Sequence, residues 1–206
     1  MQVYASTMTL QLFLALLFFA AVTAYTPGPN NTLLMASGMN NGFKATFPMA
    51  MGVAFGFPLM IACVGLGLGK VFELYPVLYA VLRYAGAAYM LWLAWKIANA
   101  GSANADNTNN AKPLSFLQMA MFQWINPKGW IMAVTALSTY TIPGNYSVGA
   151  ALIVVTYVVM GLTSASAWAL FGASLRHVMS DERYYKTINW ALAATLVASI
   201  ATIFYH

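Results

Sequence analysis

Thr26-Pro27-Gly28-Pro29-Asn30-Asn31 interrupts an uncharged apolar run that begins near residue 7. Pro27 and Pro29 carry no backbone donor, and Gly28 costs helix stability, so the preceding helix must end or break here. Thr26 before Pro27 also reads as a fresh start: a hydroxyl N-cap, then proline at the first helical position. About a hundred residues later Asn126-Pro127-Lys128-Gly129 repeats the pattern, an N-cap type residue followed by proline. The expectation is that the two breaks face each other inside a membrane and form a transport site.

Composition supports the membrane setting. Of 206 residues, 61% are hydrophobic and 6% charged, against about 25% charged in soluble domains. The net charge of +5 comes from scattered basic residues and reads as membrane orientation, not as nucleic-acid binding. The single cysteine, Cys63, has no partner for a disulfide, redox pair or metal site. Residues 1–25 lack a basic leader and a small-residue cleavage site, so they read as a retained first membrane segment.

A span needs roughly 20 apolar residues. Residues 7–25 form the first run, and the uncharged stretch 26–42 prolongs it beyond one simple span, which implies a helix, a break and a shorter helix. Gln11 reads as a polar residue packed between helices. The run 45–69 holds glycines at 52, 56, 65, 67 and 69 that allow close helix approach, and Pro48 and Pro58 predict kinks. The third run, 76–98, carries Arg83, Trp92, Trp95 and Lys96; residues 101–112 are a polar linker. Runs at 114–140, 147–175 and 187–205 follow. In the fifth, Thr156, Thr163, Ser164 and Ser166 can bond across helices or back to a carbonyl.

The expected fold is therefore an all-α polytopic membrane protein with six transmembrane helices. Alternate loops hold Lys44, then Lys96 and Lys112, then Arg176, Arg183 and Lys186, whereas the opposite face holds only Lys70. That bias places those three loops in the cytoplasm and both termini outside. Each half opens with an interrupted span, so residues 1–100 and 113–206 read as two inverted three-helix repeats within one transmembrane domain. An inverted repeat with broken first and fourth helices is the sequence mark of a secondary transporter.

The chemistry sits at the breaks. Each new helix offers free amides and a positive dipole end suited to a carboxylate, and freed carbonyls suit an ammonium group. An amino acid carries both. Lys128 lies mid-run, where a cation is costly; it either meets a substrate carboxylate or caps carbonyls across the break. Gln123 and Asn126 add neutral hydrogen bonding beside it. The expected binding residues are Thr26, Pro27, Gly28, Pro29, Asn30, Asn31, Gln123, Asn126, Pro127 and Lys128. The carboxylates Glu73, Asp106, Asp181 and Glu182 and the histidines His177 and His206 all fall in or beside loops. No metal spacing, nucleophile–base pair or phosphate loop is present in the sequence, which argues against an enzyme and against a cofactor.

These residues also carry a resemblance. The stretch 26–31 resembles the first-span signature of the LysE/RhtB family of bacterial amino-acid exporters, and Asn126-Pro127-Lys128 resembles its fourth-span motif. Gly86-Ala87-Ala88-Tyr89, running into Trp92-Leu93-Ala94-Trp95-Lys96, resembles its third span. Lys112-Pro113-Leu114-Ser115-Phe116, with Val134-Thr135-Ala136-Leu137-Ser138-Thr139, is most similar to the cysteine/O-acetylserine exporter branch. The resemblance implies export of small neutral amino acids or derivatives across the bacterial inner membrane, coupled to the proton-motive force, with a homoserine/threonine-type exporter as the alternative. A non-transporting scaffold subunit and a passive pore are the alternatives from other classes. The expected partners are an amino-acid substrate and the lipid bilayer; whether the chain works as a homodimer stays open.

Overall fold

The computed structural model describes residues 8–69, 74–100, 112–178 and 182–204, and the regular elements among them are all helical. Lys70, Glu73, Asp106, Asp181, His206 and the linker residues 101–111 lie outside the described residues, as do the side chains of His177 and Glu182.

Helix α1 (Leu10–Tyr25) starts where the Thr9 hydroxyl accepts from the Leu12 amide at 3.2 Å. Helix α2 (Pro29–Asn41) follows at a bend of 50°. The chain turns at Gly42 (φ 80°) into α3 (Phe43–Cys63), which runs on into a π turn at Val64–Leu68. Pro48 and Pro58, expected to kink this run, lie inside continuous α3; the backbone leaves helical geometry at Gly67 (φ 108°), where no Cβ opposes it. Helix α4 (Pro76–Ala98) fills the third run. Helix α5 (Phe116–Phe122) opens with a reciprocal capping box between Ser115 and Gln118. A 3₁₀ turn (Gln123–Ile125) leads to the second break and to α6 (Pro127–Thr139). A turn with Gly144 at φ 78° precedes α7 (Tyr146–Val178), and α8 (Glu182–Phe204) closes the described chain.

One expected detail at the first break is corrected. Thr26 is not an N-cap and Pro27 does not open a helix. Thr26 (ψ 136°) ends α1, Gly28 (φ −175°, ψ −179°) is the N-cap of α2, and Pro29 is its first residue. The cause is local: a residue before proline is pushed out of the helical region, and here both Thr26 and Gly28 precede prolines. Gln11, expected between helices, is exposed near the start of α1.

Among the described residues, α3 with its π extension and α7 are each long and apolar enough to cross a membrane, and α1 with α2 qualifies as one bent span. The outward surface agrees. Leu10, Leu14, Phe18 and Val22 form an exposed row every four residues along α1, and Leu66 is 89% exposed. An apolar surface of this kind is a liability in water and none in hydrocarbon.

The helices pack in a definite set of pairs: α2 on α7, α3 on α5, α3 on α7, α4 on α8, α2 on α8, and α4 on the 3₁₀ turn. Backbones nearly touch where α2 meets α7. A Cβ on Gly38 would overlap the Ala169 carbonyl oxygen, and one on Gly172 the Met35 carbonyl oxygen. Gly52 and Gly56 of α3 lie as close to Phe116 and Ala120 of α5, whereas Gly67 and Gly69 face nothing within 4 Å. Two apolar cores result. One gathers Leu33, Met49, Met90, Leu93, Phe122 and Leu196; the other Leu16, Phe57, Met60, Ile61, Ala133 and Tyr157.

Gly172→Ala must separate two backbones, at a cost of about 1–3 kcal/mol by the usual scale of overpacking. Thermal-shift measurements on purified protein are expected to show a lowered melting temperature for it. Gly69→Ala, which adds a methyl to open space at helical φ, is expected to leave it unchanged or slightly raised.

Candidate functional site

The two breaks meet. The Lys128 ammonium, at the start of α6, donates to the Thr26 carbonyl at 2.8 Å. Asn30 and Gln123 exchange amide hydrogen bonds: Asn30 Nδ2 to Gln123 Oε1 at 2.9 Å, and Gln123 Nε2 to Asn30 Oδ1 at 3.1 Å. Gln123 is fully buried and also donates to the Met119 carbonyl at 2.9 Å.

Two carbonyls at the first break, those of Ala24 and Thr26, are taken by side chains. Ala24 O accepts from Asn31 Nδ2 at 2.8 Å and from Ser164 Oγ of α7 at 2.7 Å. Thr26 O accepts from Asn31 Nδ2 at 2.9 Å as well as from Lys128. The Thr26 hydroxyl turns back to the Val22 carbonyl. At the second break the Trp130 indole donates to the Trp124 carbonyl at 2.8 Å. Ala24 O and Thr26 O therefore do not wait for a substrate ammonium, since each already has two donors.

Asn126 is the exception. Its side chain does not cap α6, it is 2% exposed, and its Oδ1 has no hydrogen-bond partner among the described residues. An unmet buried acceptor costs about 1–3 kcal/mol, so this oxygen is built for a donor that comes from elsewhere.

A cavity of about 50 Å³ opens at this junction, with Gly28, Pro29, Asn30, Asn31, Asn126 and Lys128 on its wall. Of the other expected residues, Gln123 supports Asn30 from behind, and Thr26 enters only through its carbonyl. The Pro27 side chain is exposed and Pro127 half-buried; neither lines the cavity. Gly28 matters by its lack of a side chain, because a Cβ there would lie 2.9 Å from Lys128 Cδ. The N-termini of α2 and α6 both reach the cavity, so two positive dipole ends and one cation converge on it. Among the described residues no carboxylate pairs with Lys128.

The remainder of the wall comes from residues outside the two break motifs, of which only Ser164 is expected from sequence to reach across helices. Phe57 of α3, Met132 of α6 and Thr23 of α1 contribute, with Tyr157, Gly161 and Ser164 of α7. The Tyr157 hydroxyl lies 3.1 Å from the Thr23 hydroxyl, which itself donates to the Phe19 carbonyl at 2.7 Å; the tyrosine is therefore the donor to Thr23. Its ring meets Phe57 edge-on at 5.1 Å. The stripe 157, 161, 164, 165 on α7 has helical spacing, and this signal could have marked the wall from sequence. Ser164 is the one small hydroxyl of the fifth run seen to reach across helices; Thr156 and Thr163 bond back to carbonyls of their own helix.

Known proteins share this chain's pattern. The family model described as LysE type translocator matches residues 21–205. The cysteine/O-acetylserine efflux proteins of Escherichia coli (strain K12) and Escherichia coli O9:H4 (strain HS) are each 34% identical over 200 residues, covering 96% of this chain and 100% of the relative. That of Shigella flexneri is 34% identical over 189 residues, covering 91% of this chain and 94% of the relative. No solved structure matches the chain. Twin proline breaks, an apolar outward surface and a family match over most of the length agree: the chain belongs to the LysE type translocator family, multi-pass membrane proteins that are transporters and not enzymes.

Proposed function

We propose that the chain is a secondary exporter of small neutral amino acids or their derivatives, with cysteine and O-acetylserine as first substrates. It would work by alternating access in the bacterial inner membrane. The observation that carries this reading is the pairing, on one cavity and among the described residues, of a lysine without a carboxylate and an asparagine oxygen without a donor. A zwitterion supplies both missing partners: its carboxylate to Lys128 and the two helix N-termini, its ammonium to Asn126.

The magnitudes favour such a ligand. A lysine at the centre of a membrane helix costs about 2.5–3.5 kcal/mol, and one hydrogen bond to a charged group returns about 1.5–3. The Thr26 carbonyl alone falls short of that cost or at best matches it, so a carboxylate adds what is missing. Size agrees too. By the measure in which one water needs roughly 10–15 Å³, a cavity of about 50 Å³ holds about four waters, the scale of a small amino acid and not of a peptide. The relatives' printed names point to the same substrate class.

The reading includes six spans arranged as two inverted repeats of three. Support comes from the packing set, which maps onto itself when the first span exchanges with the fourth, the second with the fifth and the third with the sixth. At the level of whole spans the first–fifth pair (α2–α7) corresponds to the second–fourth (α3–α5), and the first–sixth (α2–α8) to the third–fourth (α4 with the 3₁₀ turn), although the contact is made after the break in the first span and before it in the fourth. The α3–α7 and α4–α8 pairs map onto themselves. The bias of loop lysines and arginines supports both termini on the periplasmic side.

Lys128→Ala is expected to reduce export by about 100-fold, the scale of truncating one partner of a buried charged pair, while the protein stays in the membrane at its normal level; substrate-loaded vesicles and a membrane blot measure both. Asn126→Leu is expected to split stability from function. The melting temperature rises because an orphaned acceptor is gone, while the thermal shift produced by added amino acid disappears. A thermal-shift panel of amino acids on the wild type, with counterflow for each hit, tests the reading itself. No hit among small neutral amino acids would count against it, and unsaturable release from loaded vesicles that ignores a protonophore, with no counterflow, would indicate a pore.

A further inference from the structure

A second cavity, of about 70 Å³, lies between α2, α3, α4 and the segment leading into α5. It shares two walls with the first. On α2 Asn30 faces the first cavity and Leu33 the second; on α3 Val53 faces the first and Met49 the second. Three or four residues of helix span about 4.5–6 Å, so the two spaces lie roughly one helical turn apart along both walls. Leu33 is 4% exposed and Met49 2%. The partition between the cavities is thus a pair of packed apolar side chains, with the Asn30–Gln123 amide pair on the side of the first cavity.

The chemistry of the second cavity differs from that of a packing defect. Lys96 and Lys112 stand on its wall with Ser37 and Asn41, and among the described residues no carboxylate lines it. Lys112 is exposed, so the cavity has a wet side. Lys96 is half-buried, its ammonium 4.5 Å from the centre of the Trp92 ring, which holds the charge at the aromatic belt of α4. Both lysines belong to the loop on the basic side of the protein.

We propose that the second cavity is the inner mouth of the transport path, that Lys96 and Lys112 draw the carboxylate of an arriving amino acid into it, and that Leu33 with Met49 form the gate to the first cavity. The proposal rests on the first cavity being the substrate site. Separation of α2 from α3 by the width of one side chain joins the two spaces. A gate of this kind needs no polar group to be broken and left unpaired in the membrane, because both its residues are hydrocarbon or thioether.

Thiol labelling tests it in a Cys63→Ala background, which removes the chain's single cysteine. Ser37→Cys reports on the second cavity and Ser164→Cys on the first. Impermeant thiol reagents are applied to inside-out vesicles. An anionic reagent is expected to label Ser37→Cys on the order of tenfold faster than a cationic one, the lower end of electrostatic steering, with the preference lost in Lys96→Gln/Lys112→Gln and weakened by salt. Labelling of Ser164→Cys is expected to be slow and to accelerate on the order of tenfold in Leu33→Ala/Met49→Ala, matching the removal of a steric partition one turn thick. Where that double variant does not fold, Leu33→Val with Met49→Ala serves. Equal rates for both reagents at Ser37→Cys, or a Ser164→Cys rate indifferent to the partition, would overturn the proposal. None of these readouts uses an amino acid. A ligand panel without a hit counts against the substrate, and indifferent labelling counts against the gate.

Discussion

Backbone groups in hydrocarbon must be bonded, since each one left unmet costs several kcal/mol. Two prolines in three residues violate that rule at one depth, and the rest of the structure answers the violation. The donors that repair the first break come from α2 close by and from α6 and α7 in the other half of the chain, more than 100 residues away. Neither half of the chain is complete alone. Asn30 and Gln123, one from each half, exchange hydrogen bonds as a reciprocal amide clasp, so joining the halves and closing the breaks are the same event.

Packing turns that event into a site. The cavity at the breaks is walled by members of both apolar cores, Val53 and Ala165 from one and Phe57, Met132 and Tyr157 from the other. Glycine contacts bring α2 and α7 to backbone distance, which is what allows Ser164 to reach Ala24. The polar groups of the breaks thus sit where the two apolar cores adjoin.

Much of this was readable from the residues because proline acts locally. The third run, 76–98, coincides with α4, both breaks fall where the prolines stand, and Lys128 does face Thr26. What the residues did not reveal depends on crossing geometry. The start of α2 slips to Pro29 because Gly28 is itself followed by proline. The freed carbonyls are occupied because Asn31 and Ser164 happen to reach them, a matter of helix register set by Gly38 and Gly172. Tyr157 belongs to an uninterrupted helix, where the stripe 157, 161, 164, 165 was a readable signal, whereas Thr23, just before the first break, carries no such pattern.

The tether between the Lys128 ammonium and the Thr26 carbonyl has one more implication. An ammonium carries three donors, so a carboxylate arriving at that nitrogen can join the internal ligand without displacing it. On the export reading, the empty protein keeps its cation partnered between one cargo and the next.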